Sequence, residues 1–222
     1  MLASVVGMNV GFNGVATLGG LLTVEREDGT LLRAKAIPNG MTGYLIGKVV
    51  AVSGTVLVSV VSTLIAGALV FSGLTVGNAG TWLTLAWVLL LGLVATLPLG
   101  AILGSLFPSA RSAGLLTLAV GGIIAVSGIF YPITHLPQWL QWAGQVFPMY
   151  WLGLGMRSAL LPGGMAAVEI GHSWRHLATF GVLLAWAVFG LTAAPMLLRR
   201  AARGEAGSKV AERRERALRR MG

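Results

Sequence analysis

The sequence predicts an all-α, polytopic membrane protein, and three observations carry that prediction. Hydrophobic residues make up 55% of the 222 residues and charged ones only 10%. The mean hydropathy of +0.81 is far too apolar for an ordinary soluble domain. The apolar residues run in unbroken stretches of about twenty, the length a helix needs to cross a hydrocarbon core of about 30 Å. A β-barrel would instead show alternating segments of about ten residues. The 32 glycines suit membrane helices whose backbones pack closely. Cysteine is absent, which removes disulfide and thiolate chemistry and leaves the redox compartment open.

Five spans are expected: Leu2–Val24, Met41–Phe71, Trp82–Phe107, Ser112–Tyr131 and Leu177–Leu198. The first has no basic n-region and no small-residue cleavage site, so it reads as a span rather than a signal peptide. The second is longer than a crossing requires, which puts Gly43–Lys48 at the interface. The whole is one transmembrane domain, residues 1–198, followed by a basic tail, residues 199–222.

Orientation follows from the distribution of Lys and Arg. Arg26, Arg33, Lys35 and Lys48 flank the first break, Arg111 lies in the Pro108–Ser112 turn, and nine of the 16 basic residues fall in the tail. If the spans alternate, these share one face, which is the cytoplasmic one. The opposite face receives the uncharged Ser72–Thr81 and the segment Pro132–His176, whose only basic residues are Arg157 and Arg175. The net charge of +9 is therefore a topology signal rather than a nucleic-acid footprint, and the tail also suits contact with anionic lipid. Five spans with a cytoplasmic C-terminus put Met1 outside. This predicts a six-span parent whose N-terminal segment and first span precede Met1.

The most charged break in the apolar pattern is Val24–Lys48, which holds three of the seven acidic residues and four of the basic ones. Glu25, Glu27 and Asp28 suit the positive end of a short helix. Leu31, Leu32 and Ile37 would give it an apolar face, and Arg33 and Lys35 a charged rim. Such a helix fits a partner's groove, although a solvated loop of mixed charge accounts for the same residues.

The long segment Pro132–His176 reads differently. Prolines at 132, 137 and 148 bracket Gln138–Val146, an apolar run too short to span. Trp139, Trp142 and Tyr150 suit the bilayer interface. Short re-entrant or interfacial helices before the last span are the expected form. An aromatic belt explains the tryptophans equally well but not the proline punctuation.

Catalytic and metal motifs are weak. Gly43-Tyr-Leu-Ile-Gly47-Lys48 has one residue too few for a phosphate loop, and Val49 stands where Ser or Thr should. It is no nucleotide site, and Lys48 reads as a snorkelling side chain. His172 and His176 are four apart but have no nearby third ligand, so a zinc site is disfavoured. Gly43–Gly47 and Gly100–Gly104 are GxxxG pairs that permit close helix approach or dimerisation. The spans hold no mid-depth Asp, Glu, Lys, Arg or His, which argues against ion-coupled carriers and charged filters. A path lined by apolar groups and by Ser53, Thr55, Ser59, Ser62, Thr63 and Ser127 suits hydrophobic or amphipathic cargo, with energy supplied from outside the membrane. A non-transporting membrane scaffold would use the charged loop only as a binding patch. An intramembrane enzyme lacks an acid, base or metal constellation.

Three features in order resemble the permease subunit of ABC-2 type ATP-binding-cassette exporters, the family of drug, polysaccharide and lipid exporters. They are Glu25-Arg26-Glu27-Asp28-Gly29-Thr30-Leu31 followed by Pro38 and Gly47-Lys48; Phe130-Tyr-Pro132…Leu136-Pro137…Trp139-Leu140…Pro148 continuing to Gly155-x-Arg157; and a last span ending in a basic tail. The resemblance implies that Glu25, Arg26, Glu27, Gly29, Thr30, Leu31, Leu32 and Arg33 form a coupling helix docked on a separate cytoplasmic ATPase. It implies that Pro132–Arg157 forms outer re-entrant helices. It further implies six spans, a homodimer or heterodimer of permeases in the plasma (inner) membrane, and ATP and Mg held by the partner subunit, with no cofactor, metal or catalytic residue in this chain. This chain departs from the pattern where the N-terminal interfacial helix and first span should stand.

Overall fold

The computed structural model describes residues 2–28, 30–70, 78–106 and 110–221. For residues 26, 27, 31, 32, 35, 110–113, 116 and 202–221 it describes the backbone alone. Every regular element among the described residues is helical. The first span is α1 (Leu2–Met8), a π-helical turn at Asn9–Asn13, and α2 (Gly14–Glu27). Then come α3 (Thr30–Lys35), α4 (Gly40–Val70), α5 (Ala79–Leu106), α6 (Ala110–Val126), α7 (Gln138–Val146), α8 (Pro148–Leu160) and α9 (His176–Met221). Among the described residues, four stretches are long and apolar enough to cross a membrane: Leu2–Glu25, Gly40–Val70, Ala79–Leu106 and His176–Ala201. The expected span ends Phe71 and Phe107 lie outside the described residues.

The expected fourth span is shorter than its apolar run. Helix α6 has 17 residues, about 25 Å at 1.5 Å per residue, and stops at Val126 rather than Tyr131. Gly128 causes the stop. Its φ of 64° is left-handed, and a Cβ there would lie 2.1 Å from the Ile133 side chain, so the chain turns where only glycine fits. The Ser127 hydroxyl donates to the Ile124 carbonyl at 2.7 Å and closes the last turn. At the other end of the chain, α9 continues through the expected tail to Met221, because the Ala-, Arg- and Glu-rich sequence favours helix.

Helix α5 is the hub, packed against α2, α4, α8 and α9. Its Gly100 and Gly104 are where two backbones meet: a Cβ at either would lie 2.5 Å from the Val15 carbonyl or 2.8 Å from that of Gly19. Gly43 and Gly47 face nothing within 4 Å. One GxxxG pair therefore welds α5 to the first span, and the other lies open on α4. The core joins Leu18, Leu45, Val60, Leu93, Leu97 and Leu152, all buried.

Candidate functional site

The charged loop is built on the end of the first span. No breaker precedes Gly29, so α2 runs through Glu25, Arg26 and Glu27 to its end. The acidic residues thus sit at a helix C-terminus, not at the start of a coupling helix as their spacing suggested. Carboxylates at the negative end of the macrodipole are unfavourable, and Glu25 is offset by two partners. The Tyr44 hydroxyl and the Lys48 ammonium, both from α4, donate to its carboxylate. Lys48, expected to snorkel, is an ion-pair partner of Glu25.

Thr30 opens α3, whose Arg33 is exposed. Gly29 and the side chains of Arg26, Glu27, Leu31 and Leu32 lie outside the described residues. Ala34 packs on the main core, as Tyr44 does, while Ile37 is exposed. The turn into α4 passes through Asn39, at φ 55°, and Gly40, where a Cβ would lie 2.0 Å from the Ala34 carbonyl. Helix α3 touches α2, α4 and α9, and Arg199 of α9 donates to the Thr42 hydroxyl at 3.4 Å. The loop and the basic end of α9 therefore share one end of the bundle.

At the other end, the proline-punctuated segment folds as a helical hairpin. Pro132 precedes a 3-10 turn at Ile133–His135, Leu136 closes it, Pro137 caps α7, and Pro148 opens α8. Each proline stands where its missing N–H costs nothing. Trp139, Trp142 and Val146 are exposed along one face of α7, with Leu140 half-buried. Gly144 lies against the Val126 carbonyl, where a Cβ would be 2.8 Å away. Helix α8 is buried almost throughout. It runs antiparallel to the first span, with Gly153 against Gly7 and Met149 against Gly11. Tyr150 was expected at the interface but is fully buried, edge-on to Trp151 at 5.1 Å.

Arg157 is the keystone of the hairpin. Its Nε donates to Glu169 at 2.6 Å, and its Nη1 donates to the carbonyls of Gly128 and Ile129 at 2.9 and 3.3 Å. Both partners of the pair are buried. One guanidinium thus holds the end of α6, helix α8 and the link to α9 together. Arg175 clasps the hairpin from outside, over the Trp151 ring at 4.7 Å and donating to Gln145 at 2.8 Å. His172 lies in a turn and His176 opens α9 against Trp87, so the two do not share a helix face. No group of three metal-ligating side chains occurs among the described residues.

Two features went unread in the sequence. Glu169 is the only acidic residue between Asp28 and Glu205, and that solitude was its signal. Asn9 and Asn13 are the other: Asn9 donates to the Ser59 hydroxyl at 2.7 Å, and Asn13 donates to the Asn9 carbonyl at 3.3 Å, inside the first span. Ser127 is buried, its hydroxyl donating to the Ile124 carbonyl at the end of α6. Beneath the hairpin, Val15, Leu103, Val120, Phe147, Met149 and Trp186 help line an apolar cavity of about 220 Å³.

Among known proteins, the family model for the ABC-2 family transporter protein matches residues 1–189. No curated protein and no solved structure matches.

Proposed function

The chain belongs to the ABC-2 transporter family and is a membrane permease of an ATP-binding-cassette transporter; on that premise we propose that it works as an exporter driven by a separate cytoplasmic ATPase through residues 25–37. The observation that carries this reading is the fastening of α3. Ala34 sits on the core, Glu25 is held by Tyr44 and Lys48 of α4, and α3 also touches α9. A short helix fixed to three long ones moves them when a partner pushes it, whereas a solvated loop would absorb the push.

In this reading the end bearing Glu25 and Arg199 is cytoplasmic in the plasma (inner) membrane, as the positive residues favour. Two permeases pair, as a homodimer or heterodimer, and nucleotide and Mg are held by the ATPase pair. Closure of that pair swings α3 and rearranges the helices by alternating access. The cargo is hydrophobic or amphipathic (a drug, lipid or glycan-lipid), a reading supported by the apolar cavity under the outer hairpin. The hairpin residues Pro132 to Arg157 close the outer exit.

The test is reconstitution of the permease with the ATPase that co-purifies with it. Leu31→Asp is expected to abolish assembly. Glu25→Ala is expected to leave assembly intact while cutting ATP-driven export about tenfold, the scale of a typical coupling energy. Wild-type assembly and export by both variants would sink the coupling assignment.

A further inference from the structure

The first span carries a polar device that the export reading does not use. Asn9 and Asn13 bound a π-helical turn, and such turns inside α-helices occur frequently at functional sites. Asn13 lies twelve residues before Glu25 in the sequence, about 18 Å along the helix, near the middle of the stretch Leu2–Glu25. An amide at that depth has no water to satisfy it, so each of its polar atoms needs a partner.

The partners account for only part of the amide. Ser59 fixes Asn9, and Asn9 accepts one N–H of Asn13. The Asn13 carbonyl oxygen has no hydrogen-bond partner among the described residues, and the residue is exposed. Its second N–H likewise has no partner among the described residues. Thr17, four residues on, is exposed on the same face. On α4, Thr55, Ser59 and Thr63 follow at four-residue steps, and Thr55 and Thr63 donate to their own helix's carbonyls, leaving their oxygens free to accept. The face therefore offers one adjacent donor–acceptor pair and several neutral acceptors. It offers no charge, since the first span carries none before Glu25.

We propose that Asn13, held in place by Asn9 and Ser59, binds the uncharged, hydroxyl-bearing headgroup of an amphipathic molecule at mid-depth. An amide presenting one N–H beside one carbonyl matches two neighbouring hydroxyls, one accepting and one donating. A phosphate or ammonium head would be desolvated there with no countercharge, which strongly disfavours it. This inference rests on the permease reading and narrows its cargo to neutral amphiphiles with hydrogen-bonding heads.

The absence of native cysteine makes the test clean. The chain carrying Thr17→Cys is placed in phosphatidylcholine nanodiscs doped with a monoglucosyl diacylglycerol, with phosphatidylglycerol, or with a trimethylammonium diacylglycerol of the same acyl chains. The rate of maleimide labelling of the single thiol is then measured. The glucolipid is expected to slow labelling about fivefold, the scale of one net hydrogen bond, and the charged lipids to leave it unchanged. Adding Asn13→Leu or, separately, Ser59→Ala should remove the protection. Equal protection by all three lipids, no protection by any, or protection that survives both substitutions overturns the proposal. So does efficient oxidative cross-linking of two Thr17→Cys chains that the glucolipid does not reduce, because a second copy would then cover this face. No ATP enters the assay, so failure of the export reading and failure of this site give different results.

Discussion

Among the described residues, ion pairs at opposite ends of the bundle use the same chemistry for opposite purposes. Lys48–Glu25 joins α4 to the end of the first span with side chains 26% and 19% exposed, whereas in Arg157–Glu169 the corresponding values are 8% and 2%. A solvated pair contributes about 0–1 kcal/mol and can be exchanged for water as helices shift. A buried pair cannot, because either charge left alone is costly. The hairpin pair also has loose ends: Arg157 Nη2 and Glu169 Oε2 are buried with no hydrogen-bond partner among the described residues. The contrast teaches where the molecule is set to move. The loop end is fastened by an exchangeable contact, and the hairpin end is locked.

Five variants, one of them a double substitution, test that contrast. Glu169→Ala strands the Arg157 guanidinium, so it is expected to cost about 3–5 kcal/mol, measured as a lowered thermal unfolding midpoint in detergent. Replacing both partners, Arg157→Met with Glu169→Leu, should recover most of that loss. If Glu169→Ala cost less than about 1 kcal/mol, the hairpin pair would be no lock. Gly100→Ala comes next, at about 1–3 kcal/mol, because its Cβ would press on the Val15 carbonyl of the first span. Gly43→Ala, facing open space, should stay within about 0.5 kcal/mol. Comparable melting losses for the two glycine variants would mean that α4 is packed where it is open here. Lys48→Met is also expected to have a small effect. It is expected to change stability by at most about 1 kcal/mol, shrinking further as salt is raised from low to molar concentration. A loss as large as that of Glu169→Ala, unaffected by salt, would erase the distinction between the two ends.

The helices were legible in the sequence, but the roles of their residues were less so. Unbroken apolar runs mark spans because the bilayer demands length and tolerates no charge, and prolines 132, 137 and 148 marked the hairpin because three closely spaced prolines favour helix boundaries, although Pro98 and Pro195 lie inside α5 and α9. The shortened α6 was not legible. Its apolar run continues past Val126, and only the clash between a side chain at 128 and Ile133 shows that the helix must turn. The acidic cluster misled for a related reason. Charge spacing points toward a helix start, but helix α2 continues until something breaks it, and Glu25 found its compensation nineteen and twenty-three residues away in Tyr44 and Lys48.

By itself the sequence determined that the chain is a helical membrane protein, where the charged loop and the proline-punctuated hairpin lie, and the order of motifs that marks the family. Those properties are local: length, polarity and proline are read along the chain. Tertiary structure alone decided which glycines touch, that Tyr150 is buried, that Arg157 finds Glu169, and that Asn9 and Asn13 meet Ser59. The physical reason is that an apolar membrane solvent fixes how long a helix must be and what it must hide, but not which helix lies beside it. Neighbours are chosen by close packing and by the few polar atoms that must find partners.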